Sequence, residues 1–140
     1  MVKKASKKEY SIFFSYSTKD VGIAKLLIQK IENTGAAHGV KVFLDERSME
    51  GGDPISETIR VNIEECNEFI VLLSADSVKS KWVLTEISAA WALRKRIVAI
   101  VFKVTPQEAL PIIAELKAIG LDKFDDEYLN TLLKRVREAQ

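Results

Sequence analysis

The amino-acid sequence predicts an α/β fold, an open parallel sheet with helices on both faces. Three observations carry the prediction. Short runs rich in β-branched and aromatic residues occur at 10–14 (YSIFF), 40–44 (VKVFL), 69–73 (FIVLL) and 97–102 (IVAIVF). Runs of that length that are apolar on both sides suit parallel strands covered on each face. Longer stretches with helical spacing lie between them, and strand–helix alternation points to crossover connections within one sheet. The chain has 140 residues, 47% of them hydrophobic and 29% charged, which suits one globular domain with a sizeable core.

Taken in order, the first helix is marked by Val21, Ala24, Ile28 and Ile31, a stripe widened by Leu27. Ser17, with Asp20 three residues on, is placed to cap its start. The stretches 55–65 and 77–95 are the second and third helical candidates. Beyond the fourth strand, TPQE at 105–108 has the form of a capping box with Pro106 at the first helical position. Pro111 forbids a smooth helix there, so a broken helical stretch to about Leu116 is expected, then a short edge strand near 119–121. A last helix over 127–138 presents Leu129, Leu132, Leu133 and Val136 on one side.

The bulk properties exclude several classes. The formal net charge of +1 gives no electrostatic case for nucleic acid or an anionic membrane surface. The basic residues of VKKASKK fall in a tail, residues 1–8, read as solvated; residues 9–140 are read as the domain. No apolar run reaches the ~18 residues of a membrane span, and no signal-peptide pattern opens the chain. Cys66 is the only cysteine, which forbids an internal disulfide and fits a cytoplasmic location. It reads as a small core residue rather than a nucleophile. His38 is the only histidine, so no metal site is expected.

In an open parallel sheet, ligands bind beyond the carboxyl ends of the strands where strand order reverses. Three polar segments should converge there: SYSTKD (15–20), DERSMEGGDP (45–54) and SADSVKSKW (74–82). The second has four acidic residues against one arginine, with Gly51, Gly52 and Pro54 supplying turn chemistry. Within SKWVLTEISAAW (80–91), Glu86 is a carboxylate in an otherwise apolar helix. Its helical neighbours are Trp82, Val83, Ala89 and Ala90, so an ion pair along this helix has no partner. A base from another element, water, or a functional role are the readings left open. Trp91 falls on another part of the helix and is expected to pack on the sheet.

These residues also carry a family resemblance. YSIFFSYSTKD resembles the opening strand and first box of Toll/interleukin-1 receptor (TIR) domains. VFLDERSMEGGDPI resembles their second strand and long loop, and FIVLLSADSVKSKWVLTEI their third strand and third helix. Val83 stands where many members have cysteine, and the third box of animal adaptors is absent; both features resemble microbial members. The fold so implied is the flavodoxin-like three-layer sandwich, with a five-stranded parallel sheet of order 2-1-3-4-5.

The resemblance implies that Glu86 is the catalytic carboxylate of an NAD+-cleaving TIR domain, an NAD+ nucleosidase acting as hydrolase or ADP-ribosyl cyclase, with NAD+ as substrate and no further cofactor. Trp82, one helical turn before Glu86, would stack on nicotinamide or adenine; packing in the core is its other reading. Glu50 matches a position lining the family's pocket. Ser15, Tyr16 and Lys19 follow the first strand, where the resemblance places ribose and diphosphate, and Asp45 and Arg47 are further candidates for substrate contact. Such domains serve in immune, cell-death and anti-phage signalling and assemble with other TIR domains as homo-oligomers or filaments. The alternative is a non-catalytic scaffold for TIR–TIR interactions. A generic receiver is disfavoured, because FFSYS lacks an acidic pair after the first strand.

Overall fold

A computed structural model describes residues 9–44 and 55–140. Five parallel strands, β1 (Tyr10–Ser15), β2 (Val40–Leu44), β3 (Glu68–Leu73), β4 (Arg96–Val101) and β5 (Ile119–Gly120), form one sheet in the order β2-β1-β3-β4-β5. The expected architecture is therefore present. The helices are α1 (Val21–Gly35), α2 (Ile55–Glu65), α3 (Lys81–Ala92) and α4 (Asn130–Ala139). No helix among the described residues is long and apolar enough to cross a membrane.

Every residue of β1 and β3 is buried, the polar Ser11, Ser15 and Glu68 with their apolar neighbours, as suits central parallel strands covered on both faces. Alternation along β1 divides the core. Tyr10, Ile12 and Phe14 pack with Ala24, Leu27, Ile28 and Ile31 of α1 and Leu132 and Val136 of α4. Phe13 points the other way, onto a cluster with Ile59 and Ile63 of α2 and Val83, Ile87 and Ala90 of α3. Its ring stacks on Phe69 with centroids 5.5 Å apart. Cys66 is buried in this second cluster, and burial pushes its thiol up to about 11. That is the environment of a core residue, since the thiolate is the nucleophile.

Some expectations are adjusted. Val21 is exposed, so the buried stripe of α1 begins at Ala24. The third helix is shorter than its periodicity indicates: Ser77–Lys79 forms a separate tight turn, and Ser80 caps α3 by accepting from the Val83 N–H at 3.2 Å. The stretch after β4 breaks into two turns, Pro106–Glu108 and Pro111–Ile113, each opening on its proline. The last helix opens as a wide turn, Phe124–Leu129, that stacks Phe124 on Tyr128 in the core. Trp91 corrects its expectation: it is 54% exposed. Ala90 already closes the Val83–Ile87–Ala90 stripe, and the next residue is turned about 100° off it.

Candidate active site

The first and third polar segments meet at the carboxyl edge of the sheet; the second, residues 45–54, lies outside the described residues. Ser17 Oγ accepts from the Lys19 N–H at 3.3 Å, which opens the turn after β1. Asp20 of that turn accepts a hydrogen bond from Ser74 Oγ at 2.5 Å, just past β3. Ser77 Oγ accepts from the Ser74 N–H at 2.8 Å and donates to the Leu72 carbonyl at 2.8 Å. The Lys19 ammonium lies 3.8 Å from Asp76 across the same edge. These bonds hold the ends of β1 and β3 side by side. That is the point where the strand order reverses, the place such sheets use for ligands.

Glu86 sits at this point. It is 2% exposed, and its Oε1 accepts a hydrogen bond from Ser15 Oγ at 2.7 Å. The sequence arranges this by two periodicities. Ser15 is the last residue of β1 and shares a face with Phe13, the face that α3 covers. On α3, Val83, Ile87 and Ala90 seat the helix on the sheet. Trp82, Glu86 and Ala89 occupy the neighbouring stripe, one turn apart, and turn toward α2. There they line an apolar hollow of about 120 Å³ with Ile59, Arg60, Ile63 and Thr85.

The structure thus brings together Ser15, Glu86 and Trp82. Tyr16 is half-buried and packs on the opposite core cluster, its ring 6.2 Å from that of Phe14. Lys19 is exposed at the edge. Glu50, Asp45 and Arg47 lie outside the described residues. Arg60, which sequence reasoning passed over, lines the hollow while pairing with Glu57 at 2.6 Å and Glu64 at 3.1 Å. On its own helix it reads as an ordinary surface ion pair, so no local signal marks its nearness to Glu86.

A second buried carboxylate was also passed over. Glu68, the first residue of β3, is fully buried. Tyr10 and Tyr128 donate their hydroxyls to it, and Arg135 Nε lies 2.9 Å from its Oε1. This cluster stands at the amino ends of the strands, beside a hollow of about 580 Å³ lined by Arg96, Lys117, Thr131 and Arg135. Its three donor residues lie far from it in the chain, which no sequence spacing marks.

The family model described as TIR domain matches residues 12–133. A probable 2′ cyclic ADP-D-ribose synthase of Brachypodium distachyon is 29% identical over 103 residues, covering 72% of this chain and 44% of that protein. Another protein named as such a synthase, from Methanobrevibacter olleyae, is 26% identical over 154 aligned positions, covering 99% of this chain and 42% of that protein. The chain spans under half the length of these curated relatives. Among solved structures, the TIR domain of a Toll-related receptor from Hydra magnipapillata matches with a TM-score of 0.71 at 19% identity, covering 91% of this chain and 98% of that one.

Proposed function

This chain belongs to the TIR domain family, and from that premise we propose that it cleaves the bond between nicotinamide and ribose in NAD+. The observation that carries the reading is the buried Glu86 carboxylate at the strand-order reversal, anchored by Ser15 and lining a hollow with Trp82. The hollow is the size of one aromatic ring, not of a dinucleotide, so it would take the departing base. The diphosphate would lie across the carboxyl edge toward Lys19.

The chemistry asks little else. Nicotinamide departs as a neutral base with the electron pair of the breaking C–N bond, so it needs no proton from a general acid. Positive charge moves onto the ribose as an oxocarbenium-like ion forms. A fixed carboxylate beside that ring stabilises the transition state more than the ground state. Water then captures the cation and loses a proton to give ADP-ribose. Alternatively, a hydroxyl of the same molecule captures it and loses its proton to give a cyclic product. The relatives' names favour the second branch. A role in immune or anti-phage signalling and activation by self-assembly belong to the same proposal.

The test is chromatography of NAD+ products over wild type and Glu86→Gln, with the protein also clustered at high concentration. Wild type should release nicotinamide. Glu86→Gln should lose about 10²-fold or more in rate while melting cooperatively. Wild-type turnover in Glu86→Gln refutes the assignment. The second reading, a TIR scaffold, is favoured by one feature. Exposed Trp91 and Ile112 border a depression of about 500 Å³ with Arg94 and Leu116, and exposed apolar surface of this kind marks interaction sites.

A further inference from the structure

We infer that Ser15 is a positioning residue for Glu86 rather than a contact for the ligand. This deepens the proposed NAD+ chemistry and rests on it. The family resemblance sets Ser15 among the residues after the first strand, where ribose and diphosphate would lie. The structure places it otherwise: its side chain is fully buried, at the last position of β1, paired in register with Val71 of β3. A serine hydroxyl has one proton to give. Here it goes to Glu86 Oε1 at 2.7 Å, an ordinary length for a hydroxyl on an oxygen acceptor. In the charged form that the proposed chemistry needs, the carboxylate only accepts, so Ser15 is the donor.

The two partners stand on rigid supports. Ser15 ends a wholly buried strand bonded on both sides, and Glu86 is carried by a helix seated through Val83, Ile87 and Ala90. A side chain with three rotatable bonds is thereby pinned to the sheet at its far end. Two consequences follow for the reaction. The carboxylate is held in one orientation at the strand-order reversal, so it need not be ordered when the ribosyl cation forms. The hydrogen bond also favours the charged form of Glu86, the form that stabilises the cation.

Ser15→Ala removes only the hydroxyl. Its expected effect is a fall in kcat of about ten- to a hundredfold, the range of one hydrogen bond to a charged group, with KM for NAD+ nearly unchanged. The acid limb of the kcat/KM profile should move to higher pH, because the charged carboxylate has lost a donor. Ser15→Cys, a weaker donor of similar shape, should fall between the two and serves where the alanine variant folds poorly. A readout independent of turnover is the titration of the Glu86 side-chain carboxyl by ¹³C NMR in wild type and both variants, which should move upward in the same order. A raised KM with unchanged kcat and pH limb would overturn the inference and return Ser15 to the ligand. So would a Glu86 titration that stays in place in either folded variant. If wild type turns over no NAD+, the proposed function fails, and the titration alone decides whether Ser15 holds Glu86.

Discussion

The buried cluster around Glu68 predicts a large stability loss from one substitution away from the candidate site. Arg135 is 15% exposed and Glu68 is fully buried, with Nε–Oε1 at 2.9 Å. The guanidinium also lies over the Tyr128 ring, 5.1 Å from its centroid. Arg135→Met keeps an unbranched stem of similar length and removes the charge. Glu68 is then left buried without its cation, which costs about 3–5 kcal/mol. Unfolding entropy of roughly 2.1 cal/mol/K per residue, over 140 residues, converts this to a drop of roughly 10–17 °C in Tm. Differential scanning calorimetry at neutral pH measures it. The companion variant Glu68→Gln/Arg135→Met removes both charges and should recover much of the loss, because the Gln carbonyl still accepts from a tyrosine. If the single variant melts within about 2 °C of wild type, the cluster does not anchor α4 as argued.

The tyrosines of that cluster predict alkaline behaviour. Burial first, and then the Glu68 charge, push the hydroxyls of both Tyr10 and Tyr128 above their ordinary value. Their contribution to stability is fully present below about pH 10, the unfolded value, and is lost as pH rises beyond it, at about 1.4 kcal/mol per unit for each tyrosine. Absorbance at 295 nm, read on a Tyr16→Phe background so that only these two report, should show them ionising together with loss of the fold; a gradual titration near pH 10 in folded protein would refute this. At the exposed patch, Trp91→Glu should weaken self-association, read by sedimentation at high concentration, without lowering Tm appreciably. Unchanged association would assign assembly to another surface.

Much of the fold was legible because it rests on local periodicity. The bounds of β2 and α2 coincide with the expected ones, since Gly39 at φ 84 and the Val40 run mark one and apolar spacing marks the other. What escaped was set by contacts distant in sequence. Glu68 reads as the polar start of an apolar run, and its partners lie 58, 60 and 67 residues away. The early, wide turn before α4 follows from seating Phe124 and Tyr128 together, which the helical spacing of leucines does not encode. Trp91 was misplaced by size: a large apolar residue on a buried helix invites a core assignment, yet the stripe was already full.

Burial alone does not separate a candidate functional carboxylate from a structural one, because the described residues include two that are buried. Glu68 and Glu86 are both at or below 2% exposure, and both accept hydroxyl hydrogen bonds. Their places in the sheet differ. Glu68 begins β3, at the amino edge of the sheet, and two tyrosines and an arginine converge on it to tie α4 down. Glu86 stands beside the end of β1, where strand order reverses and the polar turns gather, and it shares a hollow with an indole. Charge at the amino edge serves the fold by being neutralised there; charge at the carboxyl edge, on the proposed function, borders the hollow that would take the departing base. The sequence marked Glu86 because its own helix offers no cation, and the topology sets its position apart from that of Glu68: if the proposed NAD+ cleavage holds, it is the carboxylate at the strand-order reversal that would face the ribosyl cation.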